Sequence, residues 1–395
     1  MKKHSLVLAI ASVVAGLSAC AVGQTSQTIS PGADWRDTDG EILNAHGAGV
    51  LIHDGAYWLF GEHKTAGSNG NKANVGVRAY RSTDFVNWEN MGVALAVIGE
   101  GEPGYETSDI PKGCVIERPK VVYNERTGLF VMWFHLELKG QGYTAARYGV
   151  AVATRPEGPY AFVRSGRVNA GVMPMNADAA LVSLVERAQA GEETWPGDGG
   201  SKLEKTRSLF ARDFAGGQMA RDQTVFVDDD GTAYHIFASE ENFTLHIAEL
   251  DPSYTMHTGR YTRVLEAGHR EAPAIAKRGD TYYLFTSGCT GWRSNPASYS
   301  VANSVFGPWR QVSNPCVGET PEGWGPGVTF DSQSTFVVEI MGKDDAFVFM
   351  ADRWRPKNPI DGRYVWLPIE WRASGDGADE PVIRWRDSWD LSVFD

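Results

Sequence analysis

Five residues in this chain have types and spacing suited to chemistry: His46, Glu117, Asp222, Glu271 and Gln333. Each stands at the head of an apolar, strand-like run, at intervals of 71, 105, 49 and 62 residues. If those strand heads converge, three carboxylates, an imidazole and an amide share one site. Crowded carboxylates suffer desolvation and mutual repulsion, which lifts at least one pKa. A carboxylic acid kept protonated in this way near neutrality can serve as a general acid. Glycosidic bond cleavage uses such a pair, held ~6.5–9.5 Å apart in inverting enzymes so that a water fits between. Each residue also has a plainer reading. Glu117 can pair with Arg118 or Lys120, Asp222 can cap a turn beside Arg221, and Glu271 can be a paired structural carboxylate. Gln333 can be a satisfied strand amide and His46 a buried, hydrogen-bonded ring.

The positioning elements are strands. Residues 49–60 read as two strands around an Asp54-Gly55 turn, a strong hairpin signal. The pattern recurs at 121–134 around Thr127-Gly128, at 224–237 around Asp230-Gly231, at 274–285 around Gly279-Asp280 and at 336–350 near Lys343-Asp344. A second pattern, a strand followed by a Ser/Thr/Pro turn and an aromatic, fills 77–88, 149–160 and 298–309, with a looser copy at 244–254. Five such units of three or four strands predict an all-β chain folded as a five-bladed β-propeller, whose inner strands bring their heads to one channel mouth. The long second interval contains an insert, 161–212, in which 179–190 has helical periodicity. It reads as an excursion from the second blade, either a rim lid or a flexible loop. The run Asp228-Asp229-Asp230-Gly231 lies between two strand patterns and reads as a hairpin turn rather than a calcium loop.

The strings Glu117-Arg118-Pro119, Arg221-Asp222 with Asp228-Asp229-Asp230-Gly231, and Glu271-Ala272-Pro273 resemble those of glycoside hydrolase family 43, over roughly residues 35–372. Five further strings resemble its exo-β-1,3-galactanase subfamily. They are Ala45-His46-Gly47, Phe60-Gly61-Glu62, Ser239-Glu240-Glu241-Asn242, Thr286-Ser287-Gly288-Cys289-Thr290-Gly291-Trp292 and Ser332-Gln333-Ser334-Thr335. The resemblance implies a five-bladed propeller, hydrolysis with inversion, Glu271 as general acid and Asp222 as the carboxylate that tunes it. The family's usual base, an Asp in the first blade, is replaced by His46, an absence the subfamily shares. Gln333 matches the amide proposed to take over. A neutral amide is a very poor base, so Gln333 is expected to hold the water, and the proton acceptor stays open with Glu117 as the other candidate. Glu62, Tyr143, Asn242 and Thr290 match positions around the terminal sugar, His46 is grouped with them, and Trp292 offers an apolar face to a pyranose ring.

The expected activity is exo-cleavage of β-1,3-galactan, with an arabinofuranosidase or xylosidase, or a glycan-binding lipoprotein that does not cut, as alternatives. No phosphate loop, zinc helix or nucleophile elbow occurs, and no metal or cofactor is expected. The net charge of −12 argues against nucleic acid as a partner. Residues 1–19 read as a secretion signal with Lys2 and Lys3 at its positive end. The string Leu17-Ser18-Ala19-Cys20 resembles a bacterial lipobox, which implies lipidation at Cys20, a tether over 20–34 and a propeller over 35–395. The chain is therefore expected to be exported and lipid-anchored, and monomeric. Cys289 and Cys316 are candidates for a disulfide in an oxidising compartment.

Overall fold

The Asp54-Gly55 turn shows how each blade begins. Both residues have positive φ, 48° and 70°, and His53 faces Ala56 across a two-residue hairpin of the kind whose twist suits antiparallel strands. In this computed structural model, which describes residues 27–375 and 377–395, four-stranded antiparallel sheets repeat around an axis. Blade one holds β1 (His46–His53), β2 (Ala56–Lys64), β3 (Asn74–Ser82) and β4 (Glu89–Ala96). Blade two holds β5 (Val115–Asn124), β6 (Leu129–Glu137), β7 (Arg147–Ala153) and β8 (Ala161–Gly166). Two helices, α1 (Ala179–Gln189) and α2 (Lys202–Asp213), precede blade three, built from β9 (Gln223–Val227), β10 (Ala233–Ser239), β11 (Thr244–Leu250) and β12 (His257–Val264). Blade four holds β13 (Arg270–Arg278), β14 (Thr281–Gly288), β15 (Ser298–Ala302) and β16 (Arg310–Gln311). Blade five contains β17 (Cys316–Val317), β18 (Gln333–Glu339), β19 (Phe347–Arg353), β20 (Arg363–Arg372) and β21 (Glu380–Arg384), with β17 parallel to β21.

The inner strands β1, β5, β9, β13 and β18 neighbour one another in that cyclic order, so the five-bladed β-propeller closes on itself. Apolar cores fill the wedges between blades. Leu59, Met350 and Trp366 join blades five and one, Phe60 and Phe134 blades one and two, and Phe285 and Phe349 blades four and five. Because the second strand of each blade is covered on both faces, it reads as a nearly continuous apolar run.

Three boundaries differ from expectation. The packed body starts at Ile29 rather than residue 35: Ile29 is buried and exchanges backbone hydrogen bonds with Trp389, so 29–34 packs on the last blade instead of serving as tether. Residues 161–166 are not insert but the outer strand of blade two, paired with β7. The excursion proper contains the expected α1 and the unforeseen α2, whose Ser201–Glu204 capping box was visible in the sequence. It is packed rather than loose. Leu181, Val185 and Phe210 bury themselves against Phe237, Ala248 and Tyr261 of blade three. Among the described residues no helix is long and apolar enough to cross a membrane. The signal, Cys20 and the first part of the tether lie outside the described residues.

Candidate active site

The heads of the inner strands share a local device. Pairing slips by a bulge just after His46, Glu117 and Glu271, and the next residue in each case, Gly47, Arg118 or Ala272, has φ between 51° and 63°. A bulge turns a strand and re-aims its side chains. It also explains the Glu-x-Pro strings, since proline, which lacks an N–H, is tolerated in strands at bulges. Only Gly47 adopts this backbone freely; at Arg118 and Ala272 it costs on the order of 1–3 kcal/mol, which the surrounding bonds must offset.

The bulges feed a pocket of about 360 Å³ lined by residues of all five blades, among them Glu62, Glu117, Asp222, Glu271, Gln333 and Trp354. Arg118, 4% exposed, is its hub. Its Nε meets Asp222 Oδ1 at 3.0 Å, its Nη2 donates to Gln333 Oε1 at 2.8 Å, and its backbone N–H donates to Glu62 Oε1 at 3.0 Å. Asp222 Oδ2 also accepts from the Ala272 N–H at 3.0 Å, which ties the blade-three carboxylate to the blade-four bulge.

Glu271 accepts from Gln333 Nε2 at 2.8 Å and from Asn242 Nδ2 at 3.1 Å. Burial, and then the negative charge of Asp222, push its pKa up to about 7 against the pull of Arg118. Glu117 is driven the other way. Burial alone would raise it, but the His135 hydrogen bond and charge, together with the Tyr143 hydroxyl, hold it at about 2. His135 bridges Glu117 and Glu137 at 2.9 Å on each side, and these bonds overcome burial to raise its pKa to about 9. Two half-buried carboxyls in one pocket are thus driven in opposite directions, one toward its protonated form and one toward its ionised form. Divergence of this kind assigns acid and base roles.

Gln333 is saturated. Its Oε1 accepts from Arg118 and from Trp354 Nε1 at 2.9 Å, and its Nε2 donates to Glu271 and to Ser287 Oγ at 2.9 Å. Arginine and tryptophan only donate, so the amide orientation is forced, its oxygen cannot carry the proton an imidic tautomer requires, and, contrary to expectation, no position remains on it for the attacking water. Glu117, His135 and Asp222 bring ligand-capable atoms within 4.8 Å of one another, but both His135 nitrogens are engaged by carboxylates.

Of the sugar-contact candidates, Glu62, Tyr143, Asn242 and Trp292 line the pocket. Tyr143 donates to Glu117 Oε1, and Trp292 stands edge-on to Trp354 with ring centroids 5.7 Å apart. Two candidates do not reach it. His46 is 1% exposed, stacked on Tyr364 at 4.6 Å, and its Nδ1 is 3.3 Å from Asp352; the ring belongs to the wall behind Trp354. Thr290 stabilises its own loop, donating to the Arg293 carbonyl and accepting from Asn295 Nδ2. The disulfide is also corrected. Cys289 is a free thiol in the pocket wall, whereas Cys316 is a free thiol buried among the apolar side chains of blades four and five. Sequence reading missed Asn71, Arg118, His135, Arg221, Cys289 and Trp354 as pocket residues. Arg118, Arg221 and Cys289 lay inside quoted strings, whereas His135 and Trp354 carry no local signal.

A half-buried carboxyl with a raised pKa beside a second carboxylate, at the mouth of a five-bladed propeller, suits acid-catalysed glycoside cleavage. The sequence profile of "Glycosyl hydrolases family 43" matches residues 204–376. A family 43 β-1,3-galactosidase solved with galactodeoxynojirimycin is 48% identical, with TM-score 0.82, over 92% of this chain and 100% of its own. The exo-β-1,3-galactanases of Clostridium thermocellum (32%, TM-score 0.71) and Phanerochaete chrysosporium (30%, TM-score 0.68) match over 92% of this chain and 67% and 68% of theirs. A β-D-galactofuranosidase of Aspergillus niger is 31% identical over 129 residues, which span 37% of that enzyme. This chain belongs to glycoside hydrolase family 43, and it is a glycoside hydrolase.

Proposed function

We propose that this protein is an inverting exo-β-1,3-galactosidase that removes galactose from the ends of β-1,3-galactan. The observation that carries the reading is the likeness, at 48% identity over 92% of this chain, to a β-1,3-galactosidase. A pocket of about 360 Å³ is within the usual range for a small-ligand site.

In this reading Glu271, protonated below about pH 7, gives its proton to the glycosidic oxygen. Asp222, fixed by Arg118 and the Ala272 N–H, sustains that proton by like charge. Gln333 orients the acid through Nε2 while Arg118 and Trp354 hold its oxygen. Water attacks the anomeric carbon from the opposite face, and its proton passes to Glu117, a second ionised carboxylate of the pocket beside Asp222. Trp292 stacks on a ring, and Glu62 and Asn242 meet hydroxyls.

Sugar release by residues 21–395 from linear β-1,3-galactan, followed by NMR of the nascent anomer, tests the reading. The α-anomer of galactose is expected first; release only from aryl arabinofuranosides, xylosides or galactofuranosides refutes the substrate. We further propose export and lipid anchoring at Cys20. Metabolic labelling with a fatty acid should mark the intact chain and fail in Cys20→Ala.

A further inference from the structure

Between β10 and β11 the chain turns through Glu240, Glu241 and Asn242, three consecutive non-glycine residues at φ 53°, 55° and 64°. Side chains rarely adopt that backbone even singly, and a run of three persists only where the surroundings hold it. Asn242, the third, donates to Glu271 Oε2 at 3.1 Å. The first two are held by ion pairs. Glu240 is 0% exposed and takes both arms of Arg263 at 2.7 Å, together with His246 Nε2 at 2.8 Å. Glu241 accepts from Arg221 Nη2 at 2.7 Å and Arg212 Nη2 at 3.3 Å.

Helix α2 lies along this turn. Lys202 sits over the Phe243 ring at 5.5 Å, Phe210 lies under the Arg263 guanidinium at 4.9 Å, Arg207 reaches Glu266 at 3.0 Å, and Arg212 reaches Glu241. Arg263 also meets Glu266 at 2.6 Å, so helix and turn share one charged network.

We propose that Glu240 and Glu241 are positioning residues for the general acid, and that the inserted helix α2 serves to lock the left-handed turn from which Asn242 grips Glu271. The insert therefore acts on catalysis from behind the pocket wall and not as a lid over it. The proposal rests on Glu271 being the acid, and not on galactan being the substrate.

The groups facing Glu271 are Asp222, Arg118, Cys289, Gln333 and Asn242. Besides Cys289, whose Sγ donates to the Asn242 carbonyl at 3.9 Å, only Asn242 depends on the turn. Its N–H favours the ionised carboxyl, so losing its aim raises the Glu271 pKa and misplaces the acid.

The test compares Glu240→Gln and Glu241→Gln with the native enzyme, alone and combined with Asn242→Ala. Each single variant should lower kcat about 10- to 100-fold, with any rise in KM no larger than that of Asn242→Ala. The Glu271 carboxyl, followed by 13C NMR without substrate, should titrate roughly half a unit higher. In the Asn242→Ala background neither change should reduce kcat further, and Glu241→Asp should restore part of the loss. An unshifted Glu271 titration in Glu241→Gln, or losses that multiply with that of Asn242→Ala, would overturn the proposal. Glu241 is half-exposed, so this arm survives if Glu240→Gln fails to fold. The titration needs no activity, which separates failure of this inference from failure of the galactan reading.

Discussion

Replacing Glu271 by Gln should nearly abolish turnover and yet stabilise the protein at alkaline pH. Burial and the charge of Asp222 lift this carboxyl from 4.5 to about 7. The folded chain therefore holds a proton that the unfolded chain releases above about pH 4.5. Stability must fall as pH rises from there and level off above the folded pKa. At 1.36 kcal/mol per pKa unit the full penalty is about 3 kcal/mol, an upper figure for a group that keeps some access to water. With an unfolding entropy of about 2.1 cal/mol/K per residue over about 370 residues, that corresponds to roughly 4 °C in Tm. Glutamine carries no such penalty. Its amide can donate to Asn242 Oδ1, which has no protein partner, once that side chain flips. The flip costs the same at every pH and cancels in the comparison. Scanning calorimetry should therefore show the Tm of Glu271→Gln rising relative to native by about 4 °C between pH 4.5 and 8.5. Turnover should drop by about 10²–10⁴, and native kcat/KM should decline above about pH 7 as the acid ionises. A Tm difference flat with pH, or a variant with near-native turnover, would refute the assignment of Glu271 as the buried acid.

The other expectations are shorter. Glu117→Ala should regain activity with added azide, a nucleophile that needs no deprotonation, and release α-galactosyl azide; Gln333→Ala should not be rescued, because its amide orients and does not take the proton. Trp292→Ala removes an exposed platform, so KM should rise about tenfold, as expected for losing ~1.4 kcal/mol of stacking, with kcat nearly kept. Glu240→Ala leaves Arg263 buried without its main partner and should cost about 3–5 kcal/mol in urea unfolding. Residues 21–395 should titrate three thiols in denaturant without reductant; two fewer would mean that Cys289 and Cys316 do pair.

What the sequence disclosed follows from repetition. A hairpin is encoded within about a dozen residues, and Asp54-Gly55 or Gly279-Asp280 names its turn outright. Five copies in order left little choice of architecture, and the strand heads were legible because each copy supplies one. The errors lie where partners come from different copies. His46 occupies a strand head like Glu117, but Asp352 and Tyr364, more than 300 residues away, draw it into the wall. For Glu117, expected in the site and found there, only the plainer alternative of an ion pair with Arg118 or Lys120 fails. The bulge turns Arg118 toward Asp222 and Gln333, leaving Glu117 to His135 across the β5–β6 pair.

The same limit explains why the acid was found and its environment was not. Motif and strand position select Glu271, but its raised pKa depends on burial in a pocket built from all five blades and on Asp222 lying 49 residues before it. A pattern along the chain specifies which residue reaches the pocket. Closure of the ring, through Ile29 and Trp389 and the aromatic wedge of Trp88 and Trp366, decides what it meets there. A variant that loosens this seam, such as Trp366→Ala, should therefore weaken the acid's environment from the far side of the blade. Its effect should appear as a lowered Glu271 pKa together with the lost stability, because a pocket that admits water no longer penalises the charged carboxyl.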